Sequence, residues 1–419
     1  MPKNEPRRVV LLWKGEQVTD GPRVLLLGSD ELGRELTIAL QRLGAEVIAV
    51  DGSPDAPAHR VADQALVAEL TDAAELAGLF GRLQPDFVVT LTDAVSVKAL
   101  NDLSLSEAEQ ADSEGGHTEL VPSARAVRVT ADREGLRKLA ADQLGLPTAP
   151  FWFVGSLAEL EAVAAHAGFP LLVKPSAGTP GQGQSLVKGP DQVKVAWQHA
   201  GGGDTPGEAY SVWVESVVEV EFLVTMIVVR SDGPDGPVIE FCAPVGHHRA
   251  DGGALESWQP QQMSTPALDA ARSIAARIVK ALGGRGVFSV ELMINGDEVY
   301  FADVTAHPTV SSWVTLRSQR LSAFELQARA ILGVAVDTIM VSPGAAREVT
   351  GTPPGAEALT AALRVPESDV RLFGQTKRPV PVGASSGIGL ALATAPEVAA
   401  ARDRARDVAT RLDMRDSRE

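Results

Sequence analysis

The chain has 419 residues, with 38 Lys and Arg against 54 Asp and Glu and a formal net charge of −16. A typical domain has about 100–200 residues, so this length predicts two to four domains. The acidic balance disfavours generic nucleic-acid binding, which requires a basic surface. No apolar run reaches the roughly 18 residues that span a bilayer, and the N-terminal apolar stretch is too short for a signal peptide, so we expect a cytoplasmic protein outside the membrane. The single cysteine, Cys242, excludes an intramolecular disulfide and a multi-cysteine metal site.

The N-terminal region alternates apolar strands with helices. The pattern predicts strands over Arg23–Ser29, Ala45–Asp51 and Asp86–Thr92, a helix directly after the first strand, and another helix over Leu66–Leu83. Strands separated by helices are typical of a doubly wound parallel sheet. The polar and acidic stretch Ser104–Gly116 is expected to form a mobile surface insertion.

A second unit begins with a helix near Arg133 and continues as a mixture of helices and strands. Asn295-Gly296 is a strong turn signal and predicts a β-hairpin. The other expected elements are helices over Leu157–Ala167, Pro266–Leu282, Ala323–Leu332 and Glu397–Leu412, strands over Pro170–Ser176, Val238–Ala243, Val370–Phe373 and Ile388–Ala393, and a long β run over Tyr210–Val229.

The motif GSDELG (Gly28–Gly33) lies where the first strand gives way to a helix, a position at which open α/β sheets bind ligands. The dinucleotide fingerprint G-x-G-x-x-G is incomplete because Asp30 occupies the place of the middle glycine. The acidic side chains of Asp30 and Glu31 would also repel a pyrophosphate. Two other interpretations stay open: a purely structural turn, and a site at which Glu31 binds an amine or hydroxyl group.

The stretch LLVKPSAGTPGQGQS (Leu171–Ser185) carries Lys174 on an apolar strand, followed by a glycine-rich loop. A lysine beside such a loop suits a nucleotide, because the ammonium binds phosphate oxygens and the backbone N–H groups cover them. It is not the Walker pattern. The alternative is an ordinary hairpin turn with a surface lysine.

Glu291 and Asp303 lie on the two arms of the predicted hairpin, twelve residues apart. Two carboxylates on neighbouring strands can hold Mg²⁺, provided that the strand register places them side by side. Nearly every other residue around Glu291 is apolar, and a charge in such a strand is costly unless a cation offsets it. A solvated hairpin face is the alternative.

The stretch Cys242–Ser264 contains His247 and His248. Adjacent histidines point to opposite sides of an extended chain, so a bidentate metal site is not expected here. The pattern predicts a loop satisfied by its own hydrogen bonds, and Cys242 is interpreted as a buried small residue rather than a nucleophile.

Taken together, these residues resemble one family, the formate-dependent phosphoribosylglycinamide formyltransferases of the ATP-grasp superfamily. The matching stretches are ELGRE (Glu31–Glu35), QRLGAEVIAVD (Gln41–Asp51), DAPAHRVAD (Asp55–Asp63), REGLRKLAA (Arg133–Ala141), CAPVGH (Cys242–His247), ESWQPQQMS (Glu256–Ser264) and LALATA (Leu390–Ala395). Members phosphorylate formate with ATP and pass the formyl group to the glycinamide amine, Mg²⁺ assists, and the family is dimeric. The resemblance therefore implies ATP and Mg²⁺ as cofactors, formate and an amine as substrates, and a homodimer.

The resemblance also assigns roles to individual residues. Lys174 and Glu31 become the catalytic candidates, Glu291 and Asp303 the Mg²⁺ pair, and Glu31 and Leu32 the acceptor contact. The ATP positions of the family fall on Arg133, Lys174, Thr179, Gly181, Gln182, Gly183, Gln184, Glu215 and Val218.

Several family positions carry different residues in this chain. Gln182 stands in place of a lysine of the glycine loop, and Leu223 replaces a glutamate that contacts ATP. In the acceptor site, Leu91 and Val310 replace two acids, Gln375 replaces a lysine, and Ser386 and Gly387 replace an arginine pair. A phosphate dianion needs the charge-assisted bonds of such cations. Lys377 and Arg378 lie nearby in sequence.

The resemblance thus implies an α/β chain with an ATP-grasp fold. A doubly wound preATP-grasp domain is expected over residues 1–130, an ATP-grasp domain over 131–332, and a small β-rich domain over 333–419. The main hypothesis is an enzyme that activates formate or another small carboxylate as an acyl phosphate and transfers it to an amine without a phosphoribosyl group. The alternatives are the purine-pathway enzyme itself, which uses phosphoribosylglycinamide, and a non-catalytic nucleotide-binding homologue.

Overall fold

A computed structural model describes residues 21–110, 118–175, 183–201, 211–250, 253–374 and 387–413, without the side chains of residues 106–110. Within these ranges, no helix has both the length and the apolar character needed to cross a membrane. The described chain forms three sheets of five, four and nine strands.

The first sheet is wholly parallel, with strand order β3-β2-β1-β4-β5. Its elements are β1 (Arg23–Leu27), α1 (Glu31–Arg42), β2 (Glu46–Asp51), a 3₁₀ helix (Pro57–Arg60), β3 (Gln64–Val67), α2 (Ala73–Leu83), β4 (Phe87–Thr90), α3 (Val97–Gln110), β5 (Glu119–Val121) and α4 (Ala124–Ala131). The prediction of a doubly wound parallel sheet is confirmed.

One local prediction in this region was wrong, and a second is described only in part. The helix predicted over Leu66–Leu83 is instead the end of β3 followed by α2, because Gln64–Val67 pairs with β2 at the edge of the sheet. In the predicted insertion Ser104–Gly116, residues 104–110 continue α3. A polar composition therefore did not prevent helix formation there, and residues 111–117 lie outside the described chain.

Helix α1 begins at the carboxyl end of β1. Asp30 caps it by accepting hydrogen bonds from the backbone N–H groups of Leu32 and Gly33. Gly28 has φ +97°, and a Cβ there would lie 3.1 Å from Thr92. Gly28 therefore allows a sharp turn before the helix. The acidic residues Asp30 and Glu31 lie at the N-terminal end of α1, where the helix dipole favours a negative charge.

The second sheet is antiparallel, with strand order β6-β9-β7-β8. The segment comprises α5 (Arg133–Lys138) with a π-helical turn (Leu139–Gln143), β6 (Phe151–Val154), α6 (Leu157–Ala167), β7 (Leu171–Pro175), β8 (Ser185–Val187), a 3₁₀ helix (Pro190–Gln192), α7 (Val193–His199) and β9 (Val212–Ser216).

The third sheet runs through the rest of the chain in the order β15-β14-β10-β12-β13-β16-β18-β17, with β11 paired to β10. Its elements are β10 (Phe222–Gly233), β11 (Gly236–Phe241), β12 (Val245–Arg249), β13 (Leu255–Gln259), α8 (Thr265–Leu282), β14 (Gly286–Asn295), β15 (Glu298–Thr305), a 3₁₀ helix (Val310–Val314), α9 (Thr315–Ser318), α10 (Ala323–Ile331), β16 (Gly344–Thr350), α11 (Ala356–Ala362), β17 (Ser368–Leu372), β18 (Gly387–Thr394) and α12 (Val398–Leu412). Since β13 pairs with β16, the predicted boundary at residue 332 separates two parts of one sheet.

Two further predictions differ from the structure. The long β run Tyr210–Val229 contains two strands, β9 and β10, which belong to different sheets. The stretch Cys242–Ser264 was predicted as a loop but contributes β12 and β13, which are held by pairing with β10 and β16. β9 pairs with β6 and β7, and β13 pairs with β16, which are distant in sequence, whereas β12 and β13 also pair with each other as a local hairpin.

Candidate nucleotide and metal site

Three neighbouring strands of the large sheet place polar side chains in one row. Thr225 on β10 is opposite Glu291 on β14, and Glu291 is opposite Asp303 on β15. Paired residues on adjacent strands project to the same face. The next residues on β10, Val224 and Met226, are fully buried among the apolar side chains on the other face. The row therefore lies on the face that α8 does not cover.

A β-bulge decides that the two carboxylates meet. The pairing of β14 with β15 shifts by one residue between Glu291 and Leu292. On the hairpin side of the bulge Leu292 pairs with Phe301, and on the other side Glu291 pairs with Asp303. Without the shift Glu291 would be opposite Ala302 and Asp303 would project to the other face.

Both oxygens of Glu291 have partners from neighbouring strands. The Thr225 hydroxyl donates to Glu291 Oε1 at 2.8 Å and lies at the same distance from Ser311 Oγ. His247 Nε2, from β12, lies 2.8 Å from Glu291 Oε2. Thr225 and Ser311 are buried, which limits the positions that the Glu291 carboxylate can adopt.

Asp303 keeps an exposed side, yet the protein around its carboxyl group raises the pKa to about 6. Burial is the largest cause, and the neighbouring Glu291 acts in the same direction. The backbone N–H of Val304, which donates to Asp303 at 2.8 Å, and the charge of Arg137 oppose the rise. Ionising the Asp303 carboxyl group in the folded protein therefore costs more free energy than ionising a carboxyl group in water.

Lys174 and Glu215 lie on paired strands of the four-stranded sheet. Lys174 is opposite Trp213, two residues from Glu215, so the three side chains share a face. Lys174 Nζ lies 2.9 Å from Glu215 Oε2 and 4.3 Å from the centre of the Trp213 ring. The lysine retains 19% of its side-chain surface and Glu215 only 8%, so the ammonium is held at a fixed and partly exposed position.

One arginine joins this sheet to the large sheet. The Arg137 guanidinium lies 3.1 Å from Glu215 Oε1 and donates to the carbonyl oxygens of Phe301 and Ala302 on β15 at 3.1 and 2.7 Å. Arg137 is 4% exposed, and burial lowers its pKa while Glu215 opposes that effect. Through Arg137, the lysine strand is connected to the strand that carries Asp303.

Of the other residues that the resemblance assigns to ATP, some lie near Lys174 and others lie outside the described chain. Arg133 donates to the carbonyl oxygen of Pro175, the residue after Lys174, at 3.2 Å. Val218 follows β9 and is half-buried, while Gly183 and Gln184 precede β8. Residues 176–182 lie outside the described chain, and with them the candidates Thr179, Gly181 and Gln182.

The acceptor candidates lie mainly around the first sheet. Glu31 is the first residue of α1 and is half-buried, and Leu32 beside it is 7% exposed. Leu91 follows β4 and belongs to an apolar cluster against which Val310 packs. Gly387 begins β18, whereas Gln375 and Ser386 lie outside the described residues.

Comparisons with known proteins agree with this arrangement. An ATP-grasp domain model matches residues 139–324, and a ribonucleotide synthetase preATP-grasp domain model matches residues 22–129. A formate-dependent phosphoribosylglycinamide formyltransferase of Rhodococcus jostii is 44% identical over 407 residues, which cover 95% of this chain and 97% of that protein. The corresponding protein of Corynebacterium glutamicum is 45% identical over 396 residues, covering 91% and 92%.

This chain belongs to the formate-dependent phosphoribosylglycinamide formyltransferase family.

Solved structures support the same fold. The structure described as glycinamide-RNase-transformylase T from Mycobacterium tuberculosis has a TM-score of 0.79 at 65% identity and covers 93% of this chain and 100% of that chain. A carboxyaminoimidazole ribonucleotide synthase from Aspergillus clavatus, complexed with ATP, has a TM-score of 0.78 at 20% identity over 93% and 99% of the chains, which shows the fold alone. The predictions of family, of fold and of an ATP-grasp enzyme are confirmed.

Within this formyltransferase family, the structure also shows residues that the sequence analysis missed. Arg137 lies four residues after Arg133 on the same helical segment, and that spacing was the available signal. His247 was assigned to a self-satisfied loop but lies on β12 and contacts Glu291, because β12 pairs with β10. Leu223 is on the same face as Thr225, two residues away, and is 38% exposed.

Proposed function

We propose that this chain uses ATP and Mg²⁺ to activate formate and formylates the amino group of phosphoribosylglycinamide. A formate oxygen attacks the γ-phosphorus and ADP leaves, and the amine nitrogen then attacks the formyl carbon, releasing phosphate and a proton. The observation that carries the proposal is the connected arrangement of Lys174, Glu215, Arg137, Glu291 and Asp303 in a chain of this family.

Lys174 is proposed to bind phosphate oxygens of ATP. It is the partly exposed cation of a buried cluster, and Glu215 and Trp213 hold its ammonium in place. A positioned charge loses little conformational freedom on binding, so more of the interaction contributes to affinity. Because Arg137 also pairs with Glu215, this carboxylate keeps a counter-ion when Lys174 binds phosphate.

The residues present fit a Mg²⁺ ion. Glu291 and Asp303 offer oxygen ligands side by side, and a dication between them would offset the cost of ionising Asp303, whose pKa is raised mainly by burial. The described residues contain no cluster of three or more His, Cys, Asp or Glu ligands, which agrees with an ion that completes its coordination with phosphate oxygens and water. When bound, Mg²⁺ would neutralise phosphate charge during transfer.

Glu31 is proposed to orient the acceptor amine. It lies in the first turn of α1, at the carboxyl end of β1, where ligands of open α/β sheets bind. A carboxylate there can accept a hydrogen bond from the amine and take up its proton after attack. Leu32, buried beside it, fixes the start of the helix against the apolar core.

The family relatives support the alternative hypothesis of the sequence analysis, phosphoribosylglycinamide, better than the main one. One observation favours a second candidate acceptor, an amine without phosphate. Leu91 is 3% exposed and lies in an apolar cluster with Val310 against it, where the family resemblance places acids. Apolar side chains at these positions suit a less charged ligand.

The test is a steady-state assay of the purified protein with ATP, Mg²⁺, ¹³C-labelled formate and phosphoribosylglycinamide. We expect ADP and labelled formylated product in equal amounts, and neither when any one substrate is omitted. A kcat/KM for phosphoribosylglycinamide within about 10⁴–10⁸ M⁻¹s⁻¹ would support the proposal. Efficient turnover of glycinamide riboside, with none of the phosphorylated acceptor, would contradict it and favour the second candidate.

A further inference from the structure

The β-bulge that places Asp303 opposite Glu291 has one extra residue on β15. Phe301 and Asp303 are opposite neighbouring residues of β14, so Ala302 between them is the extra residue of the bulge. An extra residue interrupts the regular ladder and bends the strand that carries it. The position of the Asp303 carboxylate therefore depends on the groups that fix the backbone of Ala302.

Arg137, on α5, binds the backbone at this point. Its Nη1 donates to the carbonyl oxygen of Phe301 at 3.1 Å, and its Nη2 donates to the carbonyl oxygen of Ala302 at 2.7 Å. Successive carbonyl groups of a regular strand point to opposite edges, so a single side chain reaches two in succession only where the backbone direction changes. The two contacts of Arg137 therefore fit the bulged strand and would not fit a regular one.

The guanidinium of Arg137 is itself held in place. It is buried, and it lies 4.7 Å from the centre of the Trp213 ring and 5.9 Å from that of the Phe301 ring. The segment that follows α5 contacts the same part of β15, because the N–H of Phe301 donates to the carbonyl oxygen of Pro147 at 2.7 Å and Phe301 forms a parallel bridge with Thr148. Arg137 is therefore a fixed support for the bulge.

One nitrogen of Arg137 serves both halves of the site. Nη2, which donates to Ala302, also lies 3.1 Å from Glu215 Oε1. The other oxygen of Glu215 lies 2.9 Å from Lys174 Nζ. A continuous set of contacts thus runs from the partly exposed ammonium of Lys174 to the backbone of the residue before Asp303.

We propose that Arg137 is a positioning residue that fixes the bulge, and with it Asp303, and that it couples the binding of Mg²⁺ to the binding of nucleotide phosphates at Lys174. This inference rests on the proposed use of ATP and Mg²⁺. A group that holds a metal ligand from behind changes metal affinity without touching the ion. Because Arg137 contacts both Glu215 and the metal strand, each ligand favours the arrangement that the other one needs, and such coupling is reciprocal.

The test measures ATP binding by calorimetry, once with Mg²⁺ and once with EDTA, in the unaltered protein and in Arg137→Lys. The ratio of the two dissociation constants reports how far Mg²⁺ strengthens ATP binding. The affinity of Mg²⁺ for free ATP is the same for every variant, so it cancels when the ratios are compared.

Lysine keeps the positive charge beside Glu215 but lacks the planar fork that spans both carbonyl oxygens and the carboxylate. We therefore expect the ratio to fall about 10-fold in Arg137→Lys, the lower end of the usual effect of removing such a supporting group. Arg137→Gln, which also lacks the charge, is the second variant and should lower the ratio at least as much.

Arg285→Lys is the matched control, since Arg285 is also a largely buried arginine that joins distant elements. It lies 2.6 Å from Glu119 on β5 and donates to the carbonyl oxygen of Ile331 on α10 at 2.9 Å. Arg285→Lys should lower the melting temperature through these lost contacts. The ratio should stay within about twofold of that of the unaltered protein, because effects at separate sites are nearly independent.

The outcomes separate this inference from the proposed function. Absence of ATP binding by the unaltered protein, with Mg²⁺ and with EDTA, overturns the proposed function and this inference with it. Normal ATP binding and an unchanged ratio in Arg137→Lys overturn only the role of Arg137, and so does an equal weakening of ATP binding with Mg²⁺ and with EDTA. A fall of the ratio in Arg285→Lys as large as that in Arg137→Lys also overturns this role, because it indicates a general loss of stability.

Discussion

Replacing Glu215 by glutamine should destabilise the fold, because this buried carboxylate contacts two cations of the nucleotide site. Glu215 is 8% exposed and neutralises two cations at once, Arg137 at 3.1 Å and Lys174 at 2.9 Å. The substitution Glu215→Gln would keep the shape of the side chain but remove its charge. Arg137, at 4% exposure, would then lose the carboxylate that it contacts directly, although it would keep its two carbonyl partners and the more distant charge of Asp303.

The magnitude follows from these contacts. Hydrogen bonds to charged groups contribute roughly 1.5–3 kcal/mol each, and breaking a buried ion pair costs about 3–5 kcal/mol. Because Arg137 keeps the carbonyl oxygens of Phe301 and Ala302, the lower part of this range is expected, about 3 kcal/mol. For a unit of about 150–250 residues, this loss lowers the melting temperature by roughly 6–12 °C.

Urea unfolding followed by circular dichroism, together with thermal unfolding, would measure this loss. Glu161→Gln, an exposed glutamate on α6, is the matched control and should change the free energy of unfolding by less than about 0.5 kcal/mol. Lys174→Met should lose much less stability than Glu215→Gln, since Glu215 keeps Arg137. A loss in Glu215→Gln no larger than that in the control would refute the reasoning, because it would mean that water already solvates the cluster.

Four further outcomes are expected. Lys174→Ala should weaken Mg·ATP binding at least about 10-fold in calorimetry, since a charge-assisted phosphate contact is lost, and an unchanged Kd would contradict the assigned role. Glu291→Gln should abolish formylation while the melting temperature stays within a few degrees, and retained turnover would exclude it from the metal pair. Glu31→Gln should slow formyl transfer by about 10²-fold or more with nearly unchanged Mg·ATP binding, and unchanged transfer would make Glu31 purely structural. Burial raises the pKa of Glu35 above its unfolded value, so ionised Glu35 destabilises the fold at pH 7, and this cost disappears as the pH falls below the unfolded value of about 4.5. Glu35→Gln should therefore stabilise the protein at pH 7 and have a smaller effect at pH 4, and urea unfolding that gives the same difference at both pH values would contradict this.

Local sequence patterns were sufficient to predict the fold class and the main charged candidates. The hydrophobic periodicity of each segment identifies it as a strand or a helix, and the alternation of the two kinds of segment predicts a parallel sheet. Lys174 and Glu291 are conspicuous because each interrupts an apolar strand, where a charge is retained only if something compensates it. Asn295-Gly296 indicated the hairpin, although the two residues of the turn are Gly296 and Asp297, because Asn295 pairs with Glu298.

Which of these side chains meet depends on contacts between distant segments. A one-residue bulge places Asp303 beside Glu291, and such a shift leaves no mark in the hydrophobic alternation. His247 reaches Glu291 because β12 pairs with β10, and Arg137 connects two sheets through partners far away in sequence. Arg60 contacts Phe373 although 313 positions separate the two residues. Contacts of this kind are set by strand register and by packing between remote parts of the chain, and a local sequence pattern carries information about neither.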